Sequence, residues 1–179
     1  MPQPNLARAA DSTLVIVDIQ ERLAAVMAAR EAVIAKTALL IEAATRLAVP
    51  IVVTEQYPKG LGHTEPQLTA ALPAGAKVLE KTAFSAACGA SELQRPQVII
   101  AGMEAHVCVL QTALELTAVG RQVFVVGDAV CSRAESNYLN ALARMQHSGV
   151  IVTNTESLIF EWLRDASNEH FRPLSKLIR

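Results

Sequence analysis

Val98-Ile99-Ile100-Ala101-Gly102-Met103-Glu104-Ala105-His106-Val107-Cys108-Val109-Leu110 joins two periodicities in thirteen residues. The apolar run over 98–101 reads as a strand buried on both faces, the kind found in parallel sheets. Gly102 ends it. The spacing then turns helical, with Val107, Leu110, Leu114 and Ala118 expected on one stripe and Gly120 as the stop. A buried strand followed at once by a helix is the repeating half of a βαβ unit.

The same alternation extends in both directions. Strand-like runs fall near 13–17, 50–54, 77–80, 97–101, 122–126 and 150–153. Between them, residues 30–48 place Val33, Thr37, Leu40/Ile41, Ala44 and Leu47/Ala48 on one stripe, and Pro50 follows the stop. Residues 135–148 end at Gly149, a C′ glycine, and a further helix covers 155–165. The pattern predicts an α/β fold: three α/β/α layers around a doubly wound, mainly parallel six-stranded sheet in the order 3-2-1-4-5-6. A chain of 179 residues suits one domain over 1–179, with 1–11 read as a loose N-terminal arm.

That order sets strands one and four side by side, where the winding reverses and a ligand crevice opens at their carboxyl ends. Strand one ends in Asp18 and strand three runs into Lys81. Cys108 falls near the start of the helix after strand four. A thiol at a helix N-terminus is expected to have a depressed pKa and act as a nucleophile. Taken singly, Cys108 also reads as a small buried hydrophobe and Asp18 as a helix cap. The three together favour chemistry.

The chain resembles the isochorismatase-like cysteine hydrolases, closest to the isochorismatase-domain-containing proteins. The matching pieces are Val-Asp-Ile-Gln at 17–20, Val-Thr-Glu-Gln-Tyr-Pro-Lys-Gly-Leu-Gly at 53–62 and Glu-Lys-Thr-Ala-Phe-Ser at 80–85. They continue with Gly-Met-Glu-Ala-His-Val-Cys-Val at 102–109, Gly-Asp-Ala-Val-Cys-Ser-Arg at 127–133 and Ala-Arg-Met-Gln-His-Ser-Gly at 143–149. The resemblance implies that Asp18, Lys81 and Cys108 form a catalytic triad. It also implies an oxyanion hole made by the backbone N–H groups of Glu104 and Cys108, with a cis peptide at Met103–Glu104. Members are commonly dimers or larger assemblies, so a homo-oligomer is expected; the apolar, alanine-rich composition points the same way.

Loops after strands two and three should rim the crevice, which makes Gln56, Tyr57 and Phe84 candidate substrate-shaping residues. His106 reads either as a pocket residue or as a solvated one, and the Glu104 side chain as facing the pocket or turned from it. Asp128 and Arg133 are expected to form a structural ion pair, and Cys88 and Cys131 to be spectators. The metal-binding Asp-x-His cluster of the family's nicotinamidases is missing from the loop Thr54-Glu55-Gln56-Tyr57-Pro58-Lys59, and the histidines lack ligand-pair spacing. No metal and no cofactor are therefore expected.

Composition bounds the rest. Sixteen Lys and Arg against seventeen Asp and Glu leave a net charge of −1 without a basic stripe, so nucleic acid is not an expected partner. No apolar run approaches the ~18 residues of a membrane span. The start lacks a signal-peptide core, and three cysteines without paired spacing suit a reducing compartment, so a cytoplasmic location is expected. The function read from the chain is a metal-independent cysteine hydrolase of a small carbonyl compound, an amide above all, through a thioester. Two alternatives stay open: a non-catalytic interaction protein, and a thiol redox sensor on the same fold.

Overall fold

The computed structural model describes residues 5–178, apart from the side chains of Cys88 and Ala90. In chain order the elements are β1 (Ser12–Val17), α1 (Glu21–Ala24), α2 (Arg30–Arg46), β2 (Ile51–Gln56), α3 (Pro58–Leu61), α4 (Pro66–Ala71) and β3 (Lys77–Lys81). They continue with β4 (Gln97–Met103), a π-helical turn (Ala105–Val109), α5 (Leu110–Ala118), β5 (Gln122–Cys131), α6 (Glu135–His147), β6 (Ile151–Thr153), α7 (Thr155–Leu163) and α8 (Phe171–Leu177). The six strands form one sheet in the order β3-β2-β1-β4-β5-β6, every ladder parallel. The expected topology is the observed one.

The central strands are aliphatic on both faces because both faces are covered. Leu14 and Ile16 pack with Leu40, Ile41, Phe124, Leu158 and Trp162 on one side. Val15 and Val17 pack with Ile100, Val109, Ala113, Leu116 and Met145 on the other. Burying one such aliphatic side chain stabilises by ~1.5–3 kcal/mol. A one-residue register slip would exchange the two faces of a strand at once.

Two expectations are corrected. The buried face of α5 is Leu110, Thr112, Ala113 and Leu116, while Val107 and Leu114 are half-buried and Ala118 is exposed. The π-helical turn inserts a residue before α5 and rotates its stripe away from the simple 3.6-residue reading. The loose arm is also corrected over its described part. Ala7 is fully buried, its N–H donates to Glu161 at 2.7 Å, and the Arg8 N–H donates to Gln97 at 2.7 Å. Residues 1–4 lie outside the described residues.

Three strands run two or more residues past their expected ends at the carboxyl edge. β2 reaches Gln56, β4 reaches Met103 and β5 reaches Cys131. Gly102 makes the close approach of β4 to β1 possible: at φ 139° a side chain there would place Cβ 2.0 Å from the Val17 carbonyl oxygen. Gly102 pairs with Val17, so the chain beyond it starts its turn directly beside Asp18.

Candidate functional site

Asp18 follows the last residue of β1 with φ 54°, in the left-handed region that non-glycine residues rarely occupy. Its N–H donates to the Thr54 carbonyl oxygen at 3.1 Å. The bend sets a fully buried carboxylate over the ends of β2 and β4. Oδ2 accepts from Lys81 Nζ at 2.7 Å and Oδ1 accepts from Thr54 Oγ1 at 2.7 Å. The third neighbour is the Cys108 thiol, which donates to the same carboxylate.

Lys81 stands at the end of β3, two strands away from β1, and its stem carries the ammonium back to Asp18. The ammonium also donates to Gln56 Oε1 at 2.8 Å, to the Phe84 carbonyl at 3.0 Å and to the Ala83 carbonyl at 3.3 Å. An ammonium has three protons. Four protein oxygens compete for them, so Lys81 is committed to holding this end of the sheet together.

The electrostatics overturn one expectation. The Cys108 thiol is pushed up to about 12, first by burial, then by the Asp18 charge and by the hydrogen bond to Asp18. Lys81 opposes this and Glu104 adds to it. The helix terminus does not outweigh a buried carboxylate in direct contact, so the resting sulfur is a protonated thiol. Burial raises the Asp18 pKa as well, against Lys81, Cys108 and Thr54, all of which favour its charged form. An acid and a base are thus joined across one hydrogen bond.

The remaining candidates separate. The Gln56 amide bridges Lys81 and the Thr82 carbonyl, the latter at 2.7 Å. Tyr57 is 56% and Phe84 54% exposed. Tyr57 lines a cavity of about 600 Å³ with Pro58, Lys59, Glu80, Lys81, Thr82 and Ala83. His106 points elsewhere: Nδ1 lies 2.9 Å from Ser132 Oγ and Nε2 3.3 Å from Asn137 Nδ2, at the β5–α6 junction. The Glu104 carboxylate is buried and accepts from the Arg133 N–H at 2.9 Å and Nε at 3.2 Å. The expected Asp128–Arg133 pair does not form. Asp128 is held by Thr155 N–H and Oγ1 at 2.8 and 2.9 Å and lies 3.6 Å from Lys36, because the extra residues of β5 opposite Ala101 carry it toward α2. The Met103–Glu104 peptide bond is cis.

Among the described residues no cluster of three His, Cys, Asp or Glu side chains is placed to hold a metal ion. His63 Nδ1 lies 3.0 Å from the buried Glu55, which also accepts from Thr64.

The family model of the isochorismatase domain matches residues 12–157, which spans β1 through the first turn of α7 and includes every group of this site. The chain belongs to the isochorismatase domain family. Mouse isochorismatase domain-containing protein 2A is 40% identical over 175 residues, covering 94% of this chain and 82% of the mouse protein. The solved MAR1 ribonuclease of Caenorhabditis elegans superposes with a TM-score of 0.92 at 37% identity, covering 97% of this chain and 92% of that one. The Escherichia coli YcaC gene product, described as an octameric hydrolase of unknown specificity, shares the fold at a TM-score of 0.90 and 24% identity, over 99% and 91% of the two chains. Membership of the isochorismatase family places the chain among hydrolases.

Three polar residues of the site escaped the sequence reading. Thr54 contacts the Asp18 carboxylate. Gln20 is fully buried and clamps Gln56 N–H and O and the Gly62 carbonyl, at 2.7, 3.0 and 2.6 Å. Thr112 donates to the Cys108 carbonyl at 2.6 Å and accepts from Ala86 N–H at 2.8 Å, which ties the loop after Lys81 to the Cys108 helix. Only Thr54 carries a sequence signal, as a polar residue inside a predicted buried strand; Gln20 and Thr112 lie outside the predicted apolar pattern and carry none.

Proposed function

We propose that this isochorismatase-family chain is a metal-independent cysteine hydrolase of small carbonyl compounds, with amides as its main substrate class. The observation that carries the reading is the hydrogen-bonded chain Lys81–Asp18–Cys108, buried at the switch point of the sheet. As sulfur attacks the carbonyl carbon, the Asp18 carboxylate takes the thiol proton and the C=O electron pair moves onto oxygen. That oxyanion is assigned to the N–H groups of Glu104 and Cys108. Collapse re-forms C=O and breaks C–N; the departing amine takes the proton from Asp18 and leaves a thioester. Water, deprotonated by Asp18, then attacks the thioester. The acid departs and the proton returns to sulfur. Lys81 keeps the carboxylate ionised in its buried position until it is needed.

A protonated thiol suits this cycle better than redox sensing, because oxidants react with thiolates. A pure interaction scaffold has no physical need for a buried carboxylate, ammonium and thiol in one contact. The C. elegans neighbour is named a ribonuclease. A phosphodiester asks for free cations, and Lys81 is already committed to four protein oxygens. The exposed Tyr57, in the open cavity beside Lys81, and the exposed Phe84 on the loop after Lys81 support a homo-oligomer in which a second copy covers this edge. Free thiols at Cys108 and Cys131 suit a reducing, cytoplasmic setting.

The test is a screen of purified protein against small amides, carbamates, esters and RNA, with Cys108→Ala as control. Cysteine-dependent release of amine or alcohol supports the reading. Cleavage of RNA by both proteins, or of nothing by either, contradicts it. Sedimentation should give a dimer or larger; a clean monomer removes the covering subunit.

A further inference from the structure

Thr54 is a polar residue in a buried aliphatic strand. Ile51, Val52 and Val53 precede it, and its own exposure is 3%. Packing alone would accept a valine there. The hydroxyl has one proton, and it goes to Asp18 Oδ1 at 2.7 Å. The same residue accepts the Asp18 N–H on its carbonyl at 3.1 Å. Thr54 also pairs in register with Val17, directly before the left-handed Asp18. Thr54 therefore grips Asp18 twice, once by main chain and once by side chain.

Lys81 holds only Oδ2. A carboxylate held at one oxygen still turns about its Cβ–Cγ bond. A second donor on the other oxygen fixes the plane. We infer that Thr54 is a positioning residue for the Asp18 base, its hydroxyl setting the carboxylate so that a remaining lone pair faces the Cys108 sulfur. This deepens the hydrolase reading and rests on it for the role of Asp18 as base.

The charged and titrating groups that face Asp18 are Lys81 from β3 and Cys108 from the turn after β4; Glu104 acts on Cys108 in turn. Thr54→Val keeps the shape and removes the donor. Losing a hydrogen bond to the ionised form raises the pKa of Asp18. The test is the rate of Cys108 alkylation by iodoacetamide against pH, resolved by mass spectrometry, with thermal unfolding measured in parallel. The acid limb reports the coupled Asp18–Cys108 pair. In Thr54→Val its midpoint should rise by about one pH unit, and Thr54→Ser should restore it. Thr54→Ala serves as the second variant where Thr54→Val folds poorly.

A purely structural threonine would lower the unfolding temperature and leave the midpoint in place, which overturns the inference. Acylation by 4-nitrophenyl acetate separates the two ideas. Acylation of the wild type with an unmoved alkylation midpoint sinks the Thr54 role and leaves the hydrolase reading. A moved midpoint without any acylation sinks the hydrolase reading and leaves Thr54 as the residue that orients Asp18.

Discussion

Cys108 and Cys131 are both free and buried at the carboxyl edge of adjacent strands, and Cys131 pairs in register with Met103. Both thiols are pushed up, to about 12 and about 11, with burial the first cause in each. What separates them is the neighbour. Cys108 donates to Asp18, and Lys81 lies behind that carboxylate. Cys131 feels only burial and the charge of Glu104, and it lines a cavity of about 510 Å³ with Val130, Arg133 and Tyr138. Burial makes a quiet thiol in both places. In the proposed mechanism, a proton acceptor in contact makes Cys108 alone a nucleophile on demand.

The largest test of this contrast is deletion. Cys108→Ala should abolish turnover of any substrate the screen finds, while Cys131→Ala stays near wild type. Equal loss in the two variants would erase the distinction. Next comes the acceptor: Asp18→Asn keeps the shape and should cut turnover by ~10²–10⁴, the usual cost of a lost general base. Full activity in that variant would move the base elsewhere.

A subtler test uses alkaline alkylation. Lys81→Ala removes the cation that favours the thiolate, so the Cys108 midpoint should move upward. Asp18→Asn removes the charge and the acceptor that hold the proton on sulfur, so its midpoint should fall. Cys131 should not move in either variant, because neither residue acts on it. Parallel shifts of both cysteines would mean the mutations loosen the whole edge.

The smallest effect is on stability. Both folded-state values lie above the ordinary 9.0, so each thiol's contribution is intact below pH 9 and is lost as pH rises from 9 toward about 11 for Cys131 and about 12 for Cys108. Urea unfolding at pH 8 and pH 10 should therefore show a milder loss in Cys108→Ala and in Cys131→Ala than in the wild type.

Much of this arrangement was legible because periodicity is a local property. The runs at 98–101 and 13–17 fix buried strands, and strand order then follows from handedness and places Asp18 beside the Cys108 turn. The reach of Lys81 across two strands was legible from its long stem. Other features depend on atoms brought together from afar. The partner of Arg133 is Glu104 rather than Asp128 because of the irregular register of β5, which no spacing rule reveals. The face of α5 depends on the π-helical turn. The sign of the Cys108 shift depends on desolvation and a carboxylate contact, and the helix terminus alone pointed the wrong way. Thr54 was legible as a polar residue inside a predicted buried strand, whereas Gln20 lies beyond strand one and its burial follows only from the chain folding over it.

Site-resolved mass spectrometry after brief exposure to 4-nitrophenyl acetate separates the two thiols by their chemistry. A single acetyl group should form on Cys108 and decay with time in the wild type, accumulate far more slowly in Asp18→Asn, and never form on Cys131. Acetylation of both cysteines at similar rates, or an adduct on Cys108 that forms equally fast without Asp18, would contradict the proposed mechanism.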